Sequence, residues 1–146
     1  MVIQGTLFRF SLHNMYGWRN FLLRLFGAKI GKGVKVRASA KFTYPWKVSI
    51  GDYSWIGDNV KLYSLDEIII GSNCVISQES YLCTGSHDIK DPHFGLITKP
   101  IVIKDGAWVA SDVFVYPGVT IHEMAVVAAR STVVRDVPAN EVHAGS

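Results

Sequence analysis

In the run Cys83-Thr84-Gly85-Ser86-His87-Asp88, the residue types suggest chemistry before any fold is considered. A histidine titrates near neutrality, with a reference pKa of about 6.5, so a solvent-reachable His87 can take a proton from an alcohol. A carboxylate bonded to one ring nitrogen would hold the imidazole and leave the other nitrogen for substrate. Asp88 and Glu79 are the candidates for that task. The plainer reading of His87 is a loop histidine hydrogen-bonded for structure alone. A metal reading would use His87, Asp88, Asp91 and His93, but Pro92 would have to turn all four groups around one point. Cys74 and Cys83 form neither a CxxC motif nor a disulfide framework, and His13 has no partner nearby in the chain.

Such residues need a scaffold, and the spacing of the aliphatic side chains describes one. An aliphatic or aromatic residue recurs every six positions through Ile30, Val36 and Phe42, then Ile50, Ile56 and Leu62, then Ile70, Ile76 and Leu82. The series resumes at Ile103 and runs through Val109, Val115, Ile121, Val127 and Val133. Glycine follows the aliphatic at Gly31, Gly51, Gly57 and Gly71, and the residue four positions on is nearly always small, as at Ala40, Ser54, Cys74 and Ser80. A period of six fits neither a helix nor an alternating strand. It predicts an all-β fold, a triangular parallel β-helix in which each unit supplies one short strand and one corner. About five coils are expected, near 30–49, 50–69, 70–102, 103–120 and 121–138. Cys74, at a small inward position, reads as core packing.

Interruptions of the period mark one corner. The steps from Phe42 to Ile50 and from Leu62 to Ile70 are eight, and the step from Leu82 to Ile103 is 21, which leaves 15 extra residues there. A loop at 86–100 should therefore project from the third coil, with His87 at its base. Long excursions from repetitive scaffolds usually carry function, which favours the chemical reading of His87.

Ahead of the solenoid, a segment at 1–29 contains Trp18, Phe21, Leu22 and Leu25 at helical spacing, with Arg19, Asn20 and Arg24 on another face and Gly27 as a stop. The expected role is a cap over the open end of the solenoid at 30–146. Contact with a membrane surface is the second reading, because two arginines flank an aromatic-rich face.

At 146 residues the chain fits one domain, and 49% apolar against 18% charged residues excludes a disordered one. Fifteen basic against 12 acidic residues leave +3, too mild to argue for nucleic acid. No basic segment leads into an apolar stretch with a cleavage site, and no apolar run nears the roughly 18 residues that cross a bilayer, so a cytoplasmic protein is expected.

The run Ile101-Val102-Ile103-Lys104-Asp105-Gly106-Ala107-Trp108-Val109-Ala110-Ser111, followed by Tyr116-Pro117-Gly118-Val119-Thr120-Ile121, resembles the hexapeptide-repeat O-acetyltransferases that include maltose, galactoside and nodulation-factor enzymes. Phe21–Gly31, Tyr44-Pro45-Trp46 and Thr84–Asp88 resemble more closely the polysaccharide-cluster branch, such as the colanic acid acetyltransferases. The resemblance implies a left-handed solenoid and a homotrimer with acetyl-CoA lying in the grooves between subunits. His87 falls on the family's general base, which activates a sugar hydroxyl for direct attack on the thioester, so neither cysteine need be a nucleophile. A backbone N–H, here of Ser111, would hold the oxyanion.

Family cofactor contacts map onto Trp108, Ser111, Ala129 and Arg135, with Ala110 bordering the pantetheine arm and Arg130 and Arg135 suited to the CoA phosphates. Two positions depart from the pattern: Arg130 replaces a common glycine, and Val134-Arg135 replaces Thr-Lys. Relatives continue beyond the position of Ser146, so some contacts at the CoA end are expected outside this sequence. The expected acceptor is a sugar or glycan, without metal. Alternatives are an amino-sugar N-acetyltransferase, a zinc solenoid of the γ-carbonic anhydrase type, and a non-catalytic assembly module. The zinc reading is weakened because its paired histidines are five residues apart, whereas His87 and His93 are six apart and His122 and His143 do not complete the pattern.

Overall fold

The computed structural model describes residues 15–146, so His13 lies outside the described residues. One helix, α1 (Tyr16–Leu25), precedes a stack of strands only two or three residues long. They form three parallel sheets, the sides of a triangular solenoid. The first sheet begins at Lys29–Ile30, the second at Lys35–Val36 and the third at Lys41–Phe42, and each later coil adds one strand to each. Pairing keeps like positions above one another, so Ile50 lies over Ile30, Ile56 over Val36 and Leu62 over Phe42.

The aliphatic residue of each unit points inward. Val36, Ile56, Ile76, Val109 and Val127 are all fully buried, each worth about 1.5–3 kcal/mol relative to exposure. Glycine follows the aliphatic where coils pass closest. A Cβ on Gly51 would stand 2.6 Å from the backbone of Gly71 and Ser72 in the next coil. Small residues at the corners include buried serines whose hydroxyls tie coils together: Ser54 Oγ donates to Gly71 O (2.6 Å) and accepts from Cys74 N (3.0 Å). A further corner rule is invisible in residue type. The third residue after the aliphatic takes positive φ at Tyr53, Asn59, Asn73, Glu79, Asp112, Met124 and Arg130, a conformation set by the turn.

The stack runs slightly past the expected five coils. Val137 bridges to Ile121, and Val142–His143 pairs with Val126–Val127, starting a sixth turn. His143 occupies the register position above Val127, where an aliphatic residue would have announced the turn. The 86–100 excursion is an antiparallel hairpin, Gly85–His87 with Leu96–Thr98. Beyond it the chain rejoins the first sheet without loss of register, Ile101 pairing with Ile68 and Ile103 with Ile70. Among the described residues, no helix is long and apolar enough to cross a membrane.

Helix α1 does pack against the first coil, and largely by its polar face. Arg19, Asn20, Leu22 and Leu23 are buried, whereas Trp18, Phe21 and Leu25 are 39%, 54% and 64% exposed. The reason lies in the first coil, whose outward carbonyls have no coil beneath them. Arg19 Nε donates to Val36 O (2.6 Å), Asn20 Nδ2 to Val34 O (2.8 Å), and Arg24 to Ile30 O and Gly31 O. Unpaired buried carbonyls are costly, so the polar face docks and Leu22 and Leu23 fill the opening.

Arg19→Leu, although more apolar, is therefore expected to destabilise by about 1–3 kcal/mol through the orphaned Val36 carbonyl. Phe21→Gln should stay within about 0.5 kcal/mol of the parent. Denaturant unfolding of the two variants checks this, and the reverse ordering would refute the polar cap.

Candidate active site

His87 stands on the first strand of the hairpin, opposite Leu96, with its side chain exposed. Its Nδ1 lies 2.8 Å from the Phe94 carbonyl oxygen. A carbonyl can only accept, so Nδ1 must carry a proton. The neutral ring then has its lone pair on Nε2, the tautomer a general base requires. Phe94 reaches this position with φ of 50°, in a tip closed by Asp88 N–H to Gly95 O (2.9 Å).

The expected orienting carboxylates are engaged elsewhere. Asp88 Oδ1 accepts from Lys90 N (2.9 Å) and Asp91 Oδ1 from His93 N (2.9 Å), turns that shape the hairpin tip. Glu79 Oε1 accepts from Asn59 Nδ2 (2.7 Å) at the corner between the second and third sheets. His87 emerges after Tyr81–Cys83, at the far edge of the third sheet, so one chain does not bring Glu79 to it. Backbone, not carboxylate, holds the ring. Among the described residues, no three His, Cys, Asp or Glu side chains gather as a metal-holding group.

The expected cofactor residues divide in the same way. Trp108 lies on the second sheet, half-exposed, with Nε1 donating to Ser77 Oγ (3.0 Å). Ala110 and Ser111 follow at the corner, and Ala129 and Arg130 occupy that corner one coil on, where Arg130 N donates to Ser111 O (2.9 Å). Arg135 comes after Thr132–Val133 and belongs to the hairpin corner, with His87 and Asp88. Neither Arg130 nor Arg135 has an acidic partner within 4.0 Å among the described residues, so both guanidinium groups are available to an anion.

Backbone amides distinguish the two corners. At the first, a side chain from the coil above caps three of them: Lys32 N donates to Asp52 Oδ1 (3.0 Å), Asp52 N to Ser72 Oγ (3.1 Å), and Ser72 N to Asp105 Oδ1 (2.8 Å). At the second corner the residue above Ser111 is Ala129, whose methyl accepts nothing. Among the described residues, the Ser111 and Ala129 amides donate to no acceptor. Open N–H groups at a solvated corner can receive a carbonyl or an oxyanion. Residue type did not point to these open amides.

The cysteines stay out of this site. Cys74 is fully buried, its Sγ donates to Lys104 O (3.1 Å), and burial pushes its thiol pKa up. Cys83 donates to Gly85 O (3.2 Å) at the hairpin root.

The triangular stack has counterparts among solved structures. A maltose O-acetyltransferase from Clostridium difficile 630 matches with a TM-score of 0.89 at 26% identity, over 97% of this chain and 78% of that one. A hexapeptide-repeat-containing acetyltransferase from Vibrio cholerae O1 biovar eltor, complexed with acetyl coenzyme A, matches with a TM-score of 0.87 at 30% identity, over 94% of this chain and 76% of that one. No protein-family model matches the chain. The chain belongs to the hexapeptide-repeat acetyltransferases. In sequence it is 58% identical over 144 residues to WcaF of Escherichia coli (strain K12), named for acetyl transfer in colanic acid biosynthesis, covering 99% of this chain and 79% of that protein.

Ala129→Asp would supply the acceptor that Asp52 and Asp105 supply at the first corner. Exchange of the Ser111 amide, followed by NMR, should slow by about five- to tenfold, as one added hydrogen bond implies. Unchanged exchange would mean that the Ser111 amide is not open.

Proposed function

We propose that this acetyltransferase moves the acetyl group of acetyl-CoA to a hydroxyl of a sugar or polysaccharide intermediate, with His87 as general base. The observation that carries the proposal is the Nδ1 contact to Phe94 O, which leaves an exposed Nε2 lone pair. His87 Nε2 takes the hydroxyl proton as the oxygen attacks the thioester carbonyl carbon. The tetrahedral oxyanion is held by the Ser111 N–H. Its collapse breaks the C–S bond, and the departing CoA thiolate takes the proton from the imidazolium. No acyl-enzyme forms. The acceptor and acetyl-CoA would meet in the cytoplasm.

A second chain completes the proposed site. His87 and the Ser111 corner flank opposite edges of the third sheet, so the hairpin of one copy would serve the amide corner of its neighbour. A homotrimer with three such grooves satisfies every copy. Trp108, Ala110, Ser111 and Ala129 would line the pantetheine arm, and Arg130 and Arg135 would meet the phosphates of CoA. The acetyl-CoA bound by the Vibrio cholerae acetyltransferase, and the coenzyme A bound by a galactoside acetyltransferase that is 27% identical, support this choice of co-substrate.

Thiol release from acetyl-CoA, measured against a panel of sugars and nucleotide sugars, tests the reading. Acceptor-dependent release should fall by about 10²–10⁴ in His87→Ala, the usual worth of a general base. Full activity in that variant would reject the assigned base, and release only with amino sugars would assign nitrogen acceptors. Replacing the hairpin-tip side chains Ile89 and Lys90 by alanine, which leaves the Phe94 carbonyl in place, should change which acceptors turn over and leave acetyl-CoA affinity near its original value. An unaltered acceptor profile would detach specificity from the hairpin.

A further inference from the structure

The charges of this chain are segregated along the solenoid axis. Positions 1–51 contain nine Lys and Arg and no Asp or Glu, whereas positions 52–146 contain six basic and twelve acidic residues. The overall +3 thus conceals a +9 end joined to a −6 body. Arg9 lies outside the described residues, and the other eight stand on the helix and the first coil. Lys29, Lys32, Lys35 and Lys41 are all exposed around the coil.

The same end presents an apolar tip. With Arg19, Asn20, Leu22 and Leu23 turned against the first coil, Trp18, Phe21 and Leu25 face away from it. The rings of Trp18 and Phe21 stack 5.9 Å apart. Trp46, 51% exposed, adjoins the end of the helix at Gly27 and stacks on Tyr44 at 4.8 Å. Aromatic and leucine side chains surrounded by lysines match an anionic lipid interface. The apolar groups enter the boundary between headgroups and acyl chains, and the ammonium groups meet the phosphates. Charge complementarity selects this occupant over an uncharged apolar partner.

We infer that the helix-capped end of the solenoid is a docking surface for an anionic membrane. It holds the enzyme at the lipid surface with the solenoid axis pointing away from the bilayer. This surface lies outside the proposed acetyl-transfer site and does not depend on it.

Co-sedimentation of the full chain with vesicles tests the inference, using phosphatidylcholine alone and phosphatidylcholine mixed with phosphatidylglycerol. Binding is expected on the mixed vesicles, falling with added salt and near background on phosphatidylcholine. The pair Phe21→Gln/Leu25→Gln and the pair Lys29→Gln/Lys32→Gln should each lower partitioning by about tenfold or more, with unfolding midpoints close to the parent. Absent binding, equal binding to both vesicle types, or binding indifferent to both pairs would overturn the inference. Self-association in lipid-free solution that Phe21→Gln/Leu25→Gln abolishes would also overturn it, by assigning the tip to a second copy.

Discussion

Every coil of this molecule depends on backbone hydrogen bonds to the coils above and below. That ladder explains the sequence rules one by one. Glycine follows the aliphatic because the next coil's backbone passes too close for a side chain, as at Gly51. The third residue turns into the left-handed region, whatever its type, to let the chain corner without leaving the ladder, as Met124 and Arg130 do. The serines at small positions repair the corners, where strand pairing lapses and Ser54 and Ser80 each donate to and accept from the backbone of the adjoining coil.

Chemistry arises where the ladder is left incomplete. At the lower end, the exposed carbonyls draw in the Arg19 and Asn20 side chains and so decide which way the helix faces. At the second corner, the Ser111 amide is left without a partner. At the third, the hairpin turns its own carbonyl, from Phe94, onto His87 and selects the ring tautomer. A repetitive scaffold thus makes distinct sites by omission, and each omission is a single residue or a single insertion.

Much of this was legible in the amino acids. The period of six, the hairpin at 86–100 and the burial of Cys74 follow from spacing, because the interior accepts only particular side chains at fixed intervals. The misreadings share one cause, which is that backbone groups carry no letter in the sequence. Asp88 and Glu79 were natural partners for His87, yet a carbonyl took that role. The helix was legible as a cap, but which of its faces docks is decided by carbonyls of the first coil. The sixth turn carries only one inward aliphatic, Val137 over Ile121, and six positions on His143 stands where a second would have announced it.

The hairpin leaves the stack after Cys83, and the chain returns to the ladder at Ile101 as though nothing had intervened. Glu67 O receives the Ile101 amide at 3.0 Å, as an uninterrupted coil would. Residues 88–98, apart from the Phe94 carbonyl that holds His87, therefore answer to no neighbour in the core. Their number and identity form a variable cassette, free to lengthen, shorten or diversify while the coils that position everything else keep their geometry. Selection could retune the cassette without ever touching the frame.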